Sequence, residues 1–285
     1  MKRDIRIALI CCRSLLGCLD ENIDVMEKWT SRAAGAGVEI ICFPELNITG
    51  YPSAKINDIP AESIPGKSTG QILKLAAKHQ VTILAGIAQS RGNETLATHI
   101  VITPHGIDGV YQKIHLGPSE KERFIAGDKI CVFEIQGFKF GIQLCYDSHF
   151  PELSTAMAEM GVDAIFIPHA SPNASSPNIS SENTSPKDDP DTKFKSWSRH
   201  LTARAYDNSI FIAAVNQVGD NGHGLTFPGV ATVIDPSGNI YEKYTGYNET
   251  MLVADLKKSA MDHVRGHRMR YFLPNRRPEI YGRRN

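Results

Sequence analysis

Residues 37–45 read GVEIICFPE, and residues 161–169 read GVDAIFIPH. Each begins Gly-Val-acid, runs through apolar residues, and closes on proline and a polar side chain. A short, continuous apolar run bounded by such breakers predicts a strand buried on both faces. The two strands are expected to end at Pro44 and Pro168, with Glu45 and His169 just beyond.

The likeness extends outward. VTILAGIAQ (81–89) matches SIFIAAVNQ (209–217), and both end in glutamine. VITPHGIDGVYQK (101–113) matches VIDPSGNIYEK (233–243), each a strand, a Pro/Gly turn and a strand ending in lysine. IRIALIC (5–11) matches KFGIQLC (139–145). The four pairs keep one register along the chain, which predicts two similar halves. Helices are expected at 22–36 and 151–160 after the first strand of each half, and at 69–79 and 196–207 after the second. Ile23, Met26, Trp29 and Ala33 fall near one helical face. Alternating strands and helices predict an α/β fold with helices over sheet faces. Sheet packed on sheet would make a four-layer α-β-β-α sandwich with an internal pseudo-twofold repeat.

Residues 1–256 are expected to form one domain, with 257–285 a C-terminal extension and subunit contact. From Met261 onward the chain shows little helical or strand pattern. Residues 171–193, SPNASSPNISSENTSPKDDPDTK, are nearly devoid of apolar side chains and predict a long loop.

The chain has 285 residues, enough to bury a large core without disulfides or structural metals. Lysine plus arginine and aspartate plus glutamate both number 31, which gives no electrostatic reason to expect nucleic acid. The basic tail reads as a solvated segment or a subunit contact. Six cysteines include no CxxC pair, and most lie in apolar runs as small hydrophobes. The run in MKRDIRIALICC is broken by Arg6 and too short for a signal peptide or a membrane span. A cytoplasmic protein without membrane contact is expected.

Three stretches place reactive side chains at or just past strand ends: FPELNITGYP (43–52), YQKIHLGPSEKERF (111–124) and FGIQLCYDSHFPE (140–152). Ligands of α/β sheets bind outside the carboxyl ends of strands. If these ends converge, Glu45, Lys113 and Cys145 meet. A thiol attacks as thiolate, so Glu45 could take its proton and later return one to a leaving amine. Lys113 could stabilise the oxyanion, with the Tyr146 N–H as a second donor. Glu120 could share the lysine's charge. On the residues alone a second reading stands: Cys145 a buried thiol, Lys113 a hairpin end, Glu45 a cap or turn residue. A metal-dependent hydrolase lacks HExxH or ligand spacing among His99, His105, His115, His149 and His169, and a serine hydrolase lacks GxSxG.

FPELNITGYP, YQKIHL with its following glutamate, and LCYDSHFPE together resemble the three signature blocks of the nitrilase superfamily, in family order, over nearly the whole chain. The resemblance implies the α-β-β-α sandwich, a homodimer or larger homo-oligomer, a small amide or carbamoyl substrate, and no metal or organic cofactor. It assigns Glu45 as general base, Lys113 as oxyanion stabiliser and Cys145 as nucleophile. Glu120 best matches the family's second glutamate, with Glu122 as runner-up. Tyr146-Asp147 resembles the amidase and carbamoylase branches, where nitrilases carry Trp-Glu. His149 departs from the Arg or Trp of relatives, which leaves the substrate open. Tyr51, Tyr146, His149, His169 and Asn173 are expected near the substrate, under the 171–193 loop. The expected activity is a cysteine-dependent amidase or N-carbamoyl-amine hydrolase. Its rivals are a nitrilase and a nitrilase-fold binding or regulatory protein without turnover.

Overall fold

The computed structural model describes residues 1–53, 59–173 and 189–281. The first half comprises β1 (Ile5–Cys11), α1 (Leu19–Gly35), β2 (Ile40–Cys42), α2 (Lys67–His79), β3 (Thr82–Arg91), β4 (Glu94–Thr103) and β5 (Gly106–Gln112). The second half comprises β6 (Val132–Ile135), β7 (Phe138–Ile142), α3 (Pro151–Glu159), β8 (Ala164–His169), α4 (Pro190–Asn208) and β9 (Phe211–Asn216). It continues with the short pair β10 (Gly219–Asp220) and β11 (Thr226–Phe227), then β12 (Gly229–Ile234) and β13 (Ile240–Gly246). The chain closes with β14 (Thr250–Leu256), α5 (Lys258–Arg265) and α6 (Pro278–Tyr281).

One six-stranded sheet has the order β14-β1-β2-β3-β4-β5, the other β13-β12-β9-β8-β7-β6. The predicted repeat is visible in these orders. β1, β2 and β3 run parallel, as do β7, β8 and β9, and each trio is flanked by antiparallel strands.

Strand parity explains the layers. Ile5, Ile7 and Leu9 of β1 join the large core that also takes in the second sheet, whereas Ala8 and Ile10 pack with α1 and α2. Side chains alternate across a strand, so β1 is apolar on both faces and needs a sheet on one and helices on the other. Helix α1 buries Met26, Trp29 and Ala33, and α2 buries Ile72, Leu75 and Ala76, at helical spacing. On the other side α4 contributes Phe194, Trp197, Leu201 and Ala205.

Two expectations are corrected. Helix α4 begins at Pro190, not near 196, so residues 190–193 are helix rather than loop. Asp189 is its N-cap, accepting from Thr192 N at 2.7 Å, and Pro190 takes the first turn, where its missing N–H is not needed. Residues 174–188 of the predicted loop lie outside the described residues. The segment from Met261 also has more pattern than expected, because α5 buries Met261 and Val264. Beyond α5, Arg276 pairs with Glu159 of α3, and Phe272 meets Tyr206 of α4. The described tail therefore lies over its own α3 and α4. Among the described residues no helix is long and apolar enough to cross a membrane.

Candidate active site

The parallel strands deliver their ends to one edge. Past β2, Pro44 and Glu45 enter a loop pinned along β3: Asn47 Oδ1 accepts from Gly86 N at 2.8 Å, and Thr49 Oγ1 from Ala88 N at 3.0 Å. Gly86 is required here, since a Cβ would stand 2.3 Å from Leu46 N. Lys113 follows β5. Its amide donates to Ala97 O, and its carbonyl accepts from Gly127 N at 2.7 Å.

Lys113 Nζ donates to Glu45 Oε1 at 2.8 Å and to Glu120 Oε1 at 2.7 Å, with all three side chains buried. Glu45 Oε2 accepts from Ala170 N at 3.0 Å, just past β8. Gln217, past β9, donates to the Glu45 carbonyl at 2.9 Å. Glu120 Oε1 also accepts the Tyr51 hydroxyl at 3.0 Å, and Oε2 the Gly117 N–H at 2.6 Å. Glu120 therefore occupies the cluster, while Glu122 is exposed.

Burial and charge set the protonation states. Burial raises the Glu45 carboxyl to about 7, with Lys113 pulling it down only part of the way. Burial opposes the Lys113 charge, but Glu45 and Glu120 outweigh it and hold the ammonium charged beyond lysine's ordinary range. The Cys145 thiol is pushed up by burial, then by the Glu45 charge, while Lys113 and Lys193 favour its thiolate. The resting site thus holds a neutral thiol close to a carboxylate poised near neutrality.

Cys145 opens a 3-10 turn, Cys145–His149, at the end of the segment leaving β7. Its φ is 45°, a left-handed conformation that costs free energy for a non-glycine residue and is found where surroundings impose it. Those surroundings centre on Asp147. Its Oδ1 accepts from His115 N at 2.7 Å and lies 2.9 Å from His115 Nδ1. Its Oδ2 accepts from Tyr111 OH at 2.7 Å and Leu144 N at 3.0 Å. Arg204 of α4 donates to the carbonyls of Ser148 and His149.

The remaining predicted residues divide. Tyr51 reaches the cluster through Glu120. Tyr146 is exposed and packs against His149 and Phe150. His149 is exposed and stacks on His200 at 4.6 Å. His169 is buried against the Trp197 ring at 3.9 Å, and neither ring nitrogen has a hydrogen-bond partner among the described residues. Burial, followed by His200, Lys113, His149 and Lys193, keeps it neutral. Asn173 N donates to Thr226 O at 2.8 Å, and its buried Oδ1 has no such partner. A cavity of about 520 Å³ opens between Ile114, His115, Leu116 and Pro118 on one side and Tyr146 and Phe150 on the other. Among the described residues no group of three or more His, Cys, Asp or Glu is placed to hold a metal ion.

Sequence reading missed Asp147 as an anchor, Gln217 as a clamp on Glu45, and Lys193. The first two were visible as residues: Asp147 as the carboxylate two past the cysteine, Gln217 as the end of a repeated strand.

Comparison with known proteins identifies the family and the fold. The model of the family described as Carbon-nitrogen hydrolase matches residues 6–265. An (R)-stereoselective amidase from Pseudomonas sp. is 26% identical, over 86% of this chain and 81% of its own. A nitrilase from Pyrococcus abyssi is 28% identical, over 93% and 94%. Among solved structures, a CN-hydrolase superfamily protein from Xanthomonas campestris, with an arsenic adduct in its active site, superposes with a TM-score of 0.81. It is 22% identical, covering 96% of this chain and 97% of its own. A mutant amidase from Nesterenkonia sp. AN1, carrying the acetamide moiety of fluoroacetamide on its active-site cysteine, gives 0.76 at 24% identity, over 98% and 95%.

Proposed function

The chain belongs to the carbon–nitrogen hydrolase family, and from that premise we propose that it hydrolyses a small linear amide or N-carbamoyl amine through Cys145. The observation that carries this reading is the Lys113 ammonium held between the Glu45 and Glu120 carboxylates beside the Cys145 thiol. Glu45 takes the thiol proton as sulfur attacks the carbonyl carbon. The carbonyl π electrons move to oxygen, where Lys113 and the Tyr146 N–H oppose the new charge. As the intermediate collapses, the C–N bond breaks and Glu45 gives its proton to the leaving nitrogen. Water then adds to the thioester or carbamoyl-enzyme, with Glu45 again as base, and the thiol is released.

A carboxylate near neutrality suits both proton transfers, and Glu45 has that property. Glu120 keeps Lys113 oriented and shares its charge. The covalent adduct on the Nesterenkonia amidase's cysteine supports Cys145 as nucleophile. A homo-oligomer belongs to the same proposal on the family resemblance, and sedimentation of the purified chain measures it.

The test is a panel of amides, N-carbamoyl amines and nitriles assayed for released ammonia, with intact-mass analysis after quenching. Turnover of an amide or carbamoyl amine with an acyl adduct on Cys145 is expected. Turnover confined to nitriles would redirect the reading to a nitrilase. Binding without ammonia or adduct would redirect it to a regulatory protein.

A further inference from the structure

The amide-hydrolase reading leaves the substrate's remote end unspecified, and the residues after β8 bear on it. Lys193 lies in the first turn of α4, where a cation gains nothing from the helix dipole. Its Nζ reaches back to Ser171 Oγ at 3.2 Å and Pro172 O at 3.0 Å. Those residues directly follow Ala170, whose N–H holds Glu45. We infer that Lys193 reads a carboxylate carried by the substrate, so that the preferred substrates are anionic amides or anionic N-carbamoyl compounds.

Three observations support this. Lys113 already faces two carboxylates, so its charge is taken up within the cluster. An anionic substrate needs a second cation there, and Lys193 is one whose charge acts on the Cys145 thiol. His169 is 2% exposed with both ring nitrogens unpartnered among the described residues, and Asn173 Oδ1 is buried in the same condition. Buried polar atoms without partners are uncommon, and a bound ligand is one way of supplying them. His169 is held neutral, so it can hydrogen-bond a polar group without adding charge.

The inference rests on the proposed reaction, and its test separates the two. Ammonia release is followed for two matched pairs: succinamate against butyramide, where the carboxylate is on the acyl side, and N-carbamoyl-β-alanine against N-carbamoylpropylamine, where it is on the amine side. The wild-type chain is expected to favour the anionic member of at least one pair by tenfold or more in kcat/KM. Which pair responds assigns the side. Lys193→Met is expected to reduce that ratio at least tenfold, chiefly through KM, and Lys193→Arg to restore most of it. The ratio should also fall as salt is raised, since part of the attraction is screened. The ratio within a pair is an internal control, because misfolding lowers both members together. A wild-type preference for the uncharged members, or a ratio that Lys193→Met leaves alone, would overturn the inference and leave the reaction standing. No ammonia from any of the four, with no adduct on Cys145, would remove both.

Discussion

The Tyr111 hydroxyl donates to Asp147 Oδ2 across 2.7 Å and so ties the last strand of the first half to the turn that carries Cys145. Asp147 is fully buried and accepts from three backbone or hydroxyl donors, with His115 Nδ1 2.9 Å from its Oδ1. Tyr111→Phe removes one donor while leaving the ring. We expect kcat to fall about tenfold with KM within a few-fold and the pH profile unmoved, the pattern of a lost positioning bond worth about 1–1.5 kcal/mol. Steady-state kinetics across pH check this. Asp147→Ala should cost more, including a lower melting temperature, because three donors lose their acceptor.

Cys145→Ala is expected to abolish turnover on every substrate the wild type cleaves, with the melting temperature preserved or raised. Full activity in this variant would end the nucleophile assignment. Fluoroacetamide treatment and intact-mass analysis supply an independent readout: an adduct on the wild type, none on the variant.

The pH dependence follows from Glu45. Its carboxyl is raised from the ordinary 4.5 to about 7, chiefly by burial. It holds its proton below about 7, so kcat/KM should fall on that side as the base form is lost. The stability effect has the opposite direction. The native state binds this proton more tightly than the unfolded chain, so ionising Glu45 costs stability, and that cost develops as pH rises from about 4.5 to about 7. Glu45→Gln should lose activity and flatten the melting temperature across this window. An unchanged slope in the variant would assign the effect to another group.

Lys113→Met leaves two buried carboxylates facing one another without their cation. Breaking a buried ion pair by removing one partner costs about 3–5 kcal/mol, and denaturant unfolding should register a loss of that order. The remaining carboxylates are expected to take up a proton, which makes the variant relatively more stable in acid than near neutrality.

Glu120→Gln against Glu122→Gln separates the two sequence candidates for the second glutamate. The buried Glu120, bound to Lys113, Tyr51 and Gly117, should cost tenfold or more in kcat/KM. The exposed Glu122 should stay within twofold.

Strand ends made much of this legible. Glu45 and Cys145 follow apolar runs whose repetition fixed their place in the sheets, and Lys113 closes a recognisable hairpin. Helix α4 was misread because composition dominated: KDDPDTK looked like loop, although Asp189-Pro190 is a cap followed by a first-turn proline. Helix α5 was missed because eight residues carry only two buried apolar positions, Met261 and Val264. The bonds of Asp147, and the reach of Lys193 to Ser171, join residues that no periodicity connects. They depend on how loops close over the sheet ends, which local pattern does not encode.

The repeat divides labour unequally. The first half supplies Glu45, Lys113 and Glu120, and the second supplies Cys145, Ala170 and Gln217, whose amides grip Glu45. On the proposed mechanism neither copy is an enzyme alone. A chain nicked after Glu120 and before β6 would therefore report its own reassembly, because ammonia could appear only when β14 had paired again with β1 and the two halves had docked in native register.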